Sequence, residues 1–158
     1  MKLIPCGRGF ETIVDDEDYC SLSQYKWHCN IKKDGSKVYV MRVSRKAEAI
    51  KKTKFYLHRL IMCPASGLFI DHINGNGLDN RRCNLRIVTP FQNQGNRRKL
   101  KGGLYKGVRV TKYGTYRCSV RHGKKTYHLG TFKTQEDCAK AYDNYARNYF
   151  GEYAYTNF

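Results

Sequence analysis

Apolar and polar positions alternate along this chain in short bursts separated by turn residues. Leu3-Ile4-Pro5 and Phe10 to Val14 read as short strands. Tyr19, Leu22 and Tyr25 give the segment after Asp15-Asp16-Glu17-Asp18 one apolar helical face; carboxylates at a helix start complement its dipole, so the acidic cluster is expected to open that helix rather than hold a metal. Lys26 to Asn30 and Val38 to Val43 predict a hairpin turning at Asp34-Gly35, with Trp27 as a packing residue and His28 at the surface. Phe55 to Met62 predicts a helix carrying His58 and Arg59. Leu68-Phe69-Ile70 predicts a strand that ends at Asp71 and His72, Asn74-Gly75-Asn76-Gly77 a tight turn, and Asn84 to Val88 a second, half-buried strand. Thr89-Pro90 reads as the N-cap and first position of a helix to about Leu100.

A second unit begins after the basic, glycine-containing linker Lys99 to Gly103. Residues 105–110, 115–121 and 125–130 alternate as three strands of a hairpin meander. Thr134, with Asp137 three residues on, approximates a capping box for a helix to about Phe150, and Ala139, Tyr142, Ala146 and Tyr149 recur at helical spacing. The helix covers one sheet face. The other is expected to carry Arg109, Arg117, Arg121 and Tyr127, subject to the strand register. The chain is therefore expected to be α+β with two domains, 1–101 and 102–158.

Charge changes the picture most. Against 30 Lys+Arg stand 13 Asp+Glu, a formal net charge of +17 on 158 residues, which calls for a polyanionic partner. No apolar run approaches the ~20 residues of a membrane span, and the start lacks a signal peptide's apolar core. The aromatic content of 13% argues for ordered sheets rather than a disordered basic tail. The seven cysteines form no C-x-x-C pair, so reduced, mostly buried thiols in a cytoplasmic protein are expected, without zinc.

The chemistry concentrates between Leu68 and Arg98. Asp71 offers a hard anionic oxygen and Asn93, on the predicted helix, a neutral amide oxygen; that pair suits one Mg²⁺ or Mn²⁺ ion better than zinc. In extended backbone His72 points away from Asp71 and is free to act as a base on water. Asn84 is placed to tie the loop between the strands through amide bonds to backbone. Taken singly, an Asp or Asn near glycine is ordinary turn chemistry; the combination carries the reading. For His58 two roles stay open, a structural hydrogen bond or a phosphate contact. Arg59 suits bidentate phosphate binding, and Arg97, Arg98, Lys99 and Lys101 are further candidates for contacts to a phosphate backbone.

Asp71-His72-Ile73-Asn74-Gly75-Asn76-Gly77-Leu78-Asp79-Asn80-Arg81-Arg82-Cys83-Asn84-Leu85-Arg86, followed by Gln92 to Arg97, resembles the HNH nuclease motif of phage- and intron-encoded homing endonucleases, over about Tyr56 to Arg98. The resemblance implies a ββα-metal unit in which His72 is the general base, Asp71 and Asn93 hold one divalent metal, and Asn84 braces the loop. An asparagine stands where the family name has its last histidine, which favours Mg²⁺ or Mn²⁺. Residues 104–158 resemble the plant APETALA and ethylene-response-factor DNA-binding domain, through Tyr105 to Arg109, Leu129 to Phe132, Ala141-Tyr142-Asp143, Gly151 and Asn157-Phe158. That family lays its sheet in the major groove. Its sheet tryptophans are replaced here by Tyr or Arg, so its site preference does not transfer.

Together these readings predict a homing-type endonuclease that cuts duplex DNA, leaving a 5′-phosphate and a 3′-hydroxyl. It is expected to act as a monomer that nicks one strand, in a bacterial cytoplasm if phage-encoded. The rivals are a DNA-binding regulator on an inactive nuclease fold and an RNA-binding protein.

Overall fold

The chain divides into two units, Met1–Val88 and Thr89–Phe158. The structure is a computed structural model that describes residues 1–32, 37–44, 51–96, 104–123 and 125–158. Both units mix helices with small antiparallel sheets, so the class is α+β, as the alternation predicts.

In the first unit β1 (Lys2–Pro5) and β2 (Glu11–Val14) pair as an antiparallel hairpin. Helix α1 (Asp16–Ser23) follows, with Asp16, Glu17 and Asp18 in its first turn. Asp15 occupies the N-cap but makes no side-chain capping bond; its carboxylate goes elsewhere, as described below. β3 (His28–Ile31) begins one residue after Trp27, whose buried indole donates Nε1–H to the Leu22 carbonyl of α1 at 2.8 Å. That bond and its place in the core take Trp27 out of the predicted strand. β4 (Val38–Val43) pairs with β3, and β5 (Lys54–Tyr56) pairs with β4. The turn expected at Asp34-Gly35 lies outside the described residues.

The helix predicted from Phe55 starts instead at Leu57: Phe55 and Tyr56 are drawn into β5 opposite Arg42 and Met41, where aromatic side chains fit a pleated surface, and α2 is Leu57–Met62. β6 (Phe69–His72) and β7 (Leu85–Val88) form the hairpin on which the site is built. The core joins every layer: Ile4 and Val14, Leu22 and Trp27, Val40, Leu57 and Ile61, and Leu85 pack together.

The second unit opens with α3 (Pro90–Gly95). Thr89 caps it, and the cap is reciprocal: Thr89 Oγ1 accepts from Gln92 N and Gln92 Oε1 accepts from Thr89 N, satisfying two donors of the first turn. The helix ends at Gly95 rather than near Leu100, with Asn96 as its C-cap. A methyl group at Gly95 would stand 2.8 Å from the Phe150 ring, so only glycine allows this approach. Tyr155 N and Lys106 Nζ both donate to the Gly95 carbonyl, at 3.0 and 2.8 Å. Those contacts group α3 with the residues that follow it.

β8 (Val108–Val110), β9 (Tyr116–His122) and β10 (Lys125–Phe132) form a meander in the order β10-β9-β8. Helix α4 (Gln135–Phe150) starts at Thr134, whose hydroxyl accepts from Asp137 N, as predicted. It buries Cys138, Ala139, Tyr142, Ala146 and Phe150 against Val108, Cys118 and Val120. Tyr149, expected on that face, is displaced to its edge. Of the seven cysteines, Cys6, Cys118 and Cys138 are buried while Cys20, Cys63 and Cys83 are exposed, fewer buried than expected.

Candidate active site

Strand β6 delivers Asp71 and His72 to opposite faces of a two-stranded ribbon, Asp71 opposite Arg86 and His72 opposite Leu85. Both are buried. Asp71 Oδ2 accepts from Arg86 Nε and Nη2 at 3.1 and 3.0 Å, an ion pair that offsets the cost of burying the carboxylate. Nothing in the order of residues announced Arg86; it faces Asp71 only because the hairpin register puts them opposite.

His72 lies against the edge of His58, with ring centroids 5.3 Å apart, and beside Tyr39 at 6.1 Å. Burial pushes the His72 pKa down, against smaller upward contributions from its bond to Asn80 and from Asp71 and Asp79. The ring is therefore neutral near pH 7, the state a proton acceptor needs. His58 is held between Tyr39 and Tyr56, and burial, followed by the charges of His72 and Arg59, lowers its pKa to about 3. Its buried Nδ1 has no hydrogen-bond partner among the described residues. Of its two expected roles, the structural hydrogen bond is not seen at that atom. Arg59 donates Nη1–H to the Leu68 carbonyl at 3.2 Å, a contact inside the fold.

The loop between β6 and β7 is fixed by amides. Asn84 Oδ1 accepts from Asn74 N at 3.0 Å and Asn84 Nδ2 donates to Asp79 O at 2.8 Å, which ties the two ends of the loop through backbone as the sequence suggested. Asp79 accepts bidentately from Arg81, at 2.7 Å to each oxygen, and Arg81 holds its carboxyl below the usual carboxylate range. At Gly77 a methyl group would collide with the Val38 carbonyl, so the loop lies tightly on β4.

The N-terminal elements clamp this loop. Ile13 N donates to Leu78 O and Asn80 N to Ile13 O, both at 2.9 Å. Asp15 Oδ2 accepts from Arg82 N at 2.8 Å, and Asp18 accepts from the Arg82 side chain at 2.9 and 2.7 Å. The acidic cluster thus grips the loop rather than capping α1 through Asp15. Asn80 and Thr12, both fully buried, join this network beside His72, and sequence reasoning did not single them out. An asparagine in a Gly-rich loop reads as turn chemistry, and a threonine in a strand as β propensity.

Asn93 sits on α3, in the second unit. As donors, the Asp71 carboxylate and the Asn93 amide oxygen fit a hard divalent cation, although Asp71 already shares its charge with Arg86. Arg97, Arg98, Lys99 and Lys101 lie outside the described residues.

The sheet of the second unit has its own chemistry. Cys118 and Val120 of β9 are buried toward α4, so Arg117, Ser119 and Arg121 face the other way. Arg109 is directly opposite Arg117, and both are exposed. Like charges placed opposite one another repel, which suits a surface that meets a polyanion. Tyr127 is corrected: it pairs with Val120 and stacks on His122, which in turn bonds Tyr149 of α4, so it lies on the helix side of the sheet. One step of strand register decides this.

Against known proteins, the HNH endonuclease family matches residues 55–94, from β5 through most of α3. The chain is 31% identical over 163 aligned positions to an uncharacterised HNH endonuclease of Acanthamoeba polyphaga mimivirus, covering 99% of this chain and 80% of that protein. Shorter matches reach a dehydration-responsive element-binding protein 1E of Oryza sativa subsp. indica, 46% identical over 57 residues, and an ethylene-responsive transcription factor of Arabidopsis thaliana, 39% over 67. These cover 35% and 41% of this chain and 26% of each plant protein. No solved structure matches. The chain belongs to the HNH endonuclease family, DNA-cutting enzymes that typically use a divalent metal ion. It is a nuclease.

Proposed function

We propose that this nuclease is a homing-type enzyme that nicks one strand of duplex DNA with a single Mg²⁺ or Mn²⁺ ion held by Asp71 and Asn93. The observation that carries the reading is the hairpin itself: a buried carboxylate and a buried, neutral imidazole on consecutive residues, facing opposite ways. His72 takes a proton from water, and the hydroxide formed attacks phosphorus as the bond to the 3′ oxygen breaks; that oxygen takes a proton from solvent water, leaving a 5′-phosphate and a 3′-hydroxyl. When bound, the metal ion stabilises negative charge on the phosphate and the departing oxygen. Asn84 keeps the loop closed, so that Asp71 and His72 hold their separation as substrate enters. Arg59 and the basic residues Arg97, Arg98, Lys99 and Lys101 supply phosphate contacts.

Site choice is the work of residues 102–158, an APETALA/ethylene-response-factor-like domain. What supports this is the exposed Arg109, Arg117 and Arg121 face and the partial likeness to two plant proteins, one named for binding a dehydration-responsive element and one named a transcription factor. Residues 1–101 are then the nuclease domain. The protein works as a monomer, since one active site meets one phosphate at a time, and in the cytoplasm, where its thiols stay reduced.

The test is relaxation of supercoiled plasmid with Mg²⁺ or Mn²⁺, read beside the mass of the protein in solution. A nicked circle is expected before any linear product, from a monomer. Linear product without a nicked intermediate, made by a dimer, would overturn the nicking assignment.

A further inference from the structure

A relay of hydrogen bonds runs from the N-terminal hairpin into the ring of His72, and its direction is fixed at both ends by backbone. Thr12 Oγ1 donates to the Leu78 carbonyl at 2.8 Å. Asn80 Nδ2 donates to the Gly77 carbonyl at 3.1 Å and to Thr12 Oγ1 at 2.8 Å. A carbonyl only accepts, so the atom of Asn80 facing Gly77 must be the amide nitrogen, and both of its hydrogens are used. The amide oxygen is thereby turned toward His72, with Oδ1 3.2 Å from Nε2. An amide oxygen has no proton to give. Nε2 must therefore carry the hydrogen, which leaves the lone pair of the neutral ring on Nδ1.

We propose that Asn80, aligned by Thr12, is a positioning residue that fixes the Nε2–H tautomer of His72 and so reserves Nδ1 as the atom that receives the proton from water. The proposal rests on the reading of His72 as general base and extends it to a residue pair outside the strands that carry Asp71 and His72. Neither residue touches substrate; both are fully buried, and each acts only through the imidazole. The geometry also gives the N-terminal hairpin a purpose. Strand β2 grips the loop through Ile13, bonded on both sides to Leu78 and Asn80, so Thr12 cannot drift from the amide it aligns. Because the amide is neutral, it orders the ring without the added negative charge that a carboxylate would bring to the site.

The test reads the tautomer directly. Nitrogen-15 NMR of the ring in the full-length, metal-free protein is expected to show Nε2 protonated and Nδ1 bare. Asn80→Leu, similar in volume but lacking an acceptor, should lose that preference and lower kcat on the order of 10²-fold, the range of a general base that is present but misdirected, with KM for DNA unchanged. Should Asn80→Leu fail to fold, Thr12→Val gives the same readout more gently, and Thr12→Ser should restore both the tautomer and the rate. A wild-type ring protonated at Nδ1, or a tautomer unmoved by Asn80→Leu and Thr12→Val alike, would overturn the proposal. His72→Ala cutting at full rate would overturn the general-base reading instead. The spectrum separates the two failures because it needs neither metal nor DNA.

Discussion

The two units treat their candidate functional side chains in opposite ways. In the first, Asp71, His72, Asn80 and Asn84 are all buried, and each is held by hydrogen bonds to a defined partner. In the second, Arg109, Arg117 and Arg121 stand exposed on the face of a sheet whose other side supplies the core. Chemistry on a phosphate requires atoms held to fractions of an ångström, and burial in a hydrogen-bonded network provides that at the cost of desolvation. Recognition of a long polyanion requires charge that can reach, and solvated guanidinium groups keep that freedom while staying strongly attractive. One unit is built for position, the other for reach.

The strongest way to break the comparison is at the carboxylate. Chelation by EDTA should stop cleavage and added Mg²⁺ or Mn²⁺ restore it, and Asp71→Ala should abolish metal-dependent nicking more completely than Asn93→Ala. A hard cation gains more from an anionic ligand than from an amide. Plasmid cleavage that continues undiminished in EDTA would remove the metal role from both residues.

Next comes His72→Ala, which should lose ~10²–10⁴-fold in rate with DNA affinity nearly intact, since a general base contributes to the chemical step alone. Single-turnover cleavage beside a binding titration separates the two quantities. A matched fall in affinity would place His72 in binding rather than catalysis.

The exposed face predicts the reverse pattern. Arg109→Ala, Arg117→Ala or Arg121→Ala should each relax sequence preference by ~1–3 kcal/mol where the side chain pairs with a base, leaving the cleavage step on bound DNA unchanged. Lys99→Ala or Lys101→Ala should weaken all sequences alike and reduce the salt slope by about 1. Titrations on cognate and scrambled duplexes at several salt concentrations test both. Cognate preference untouched by all three arginine changes would move recognition to the first unit.

The smallest effect concerns stability. Burial, with the nearby charges of His72 and Arg59, holds the His58 pKa at about 3, against an ordinary value of 6.5. Between those values the unfolded chain binds a proton that the folded chain refuses. Stability is therefore full above pH 6.5 and falls as the pH drops toward 3, by about 2 kcal/mol from pH 7 to pH 5 for this one group. His58→Phe should lose less stability than wild type over that interval, measured by urea unfolding at the two pH values. Equal losses would mean that His58 is not the buried neutral ring described here.

Local pattern alone determined a good deal of this protein. The alternation of Leu85 to Val88, the cap at Thr89-Pro90, the three strands of the second unit and the Thr134 cap of α4 all follow from neighbours within a few residues, where propensity and turn chemistry act. Asp71, His72 and Asn84 stood out because their chemistry is read in one continuous stretch.

Tertiary structure alone decided the rest, for a common reason: each outcome depends on residues far apart in sequence or on a single step of register. Arg86 became the partner of Asp71 by cross-strand pairing, and Tyr127 went to the helix side of its sheet by the same rule. Phe55 and Tyr56 left the predicted helix because β4 offered them a strand to join, and α3 ends at Gly95, where Phe150 packs closely. The acidic cluster opens its own helix as expected, but its bonds to Arg82, more than sixty residues away, are set by the fold. Asn80 and Thr12, 68 positions apart, meet only when the hairpin folds onto the loop. A sequence states which hydrogen-bonding groups are available, but their directions are set by the backbone carbonyls that the fold brings to face them.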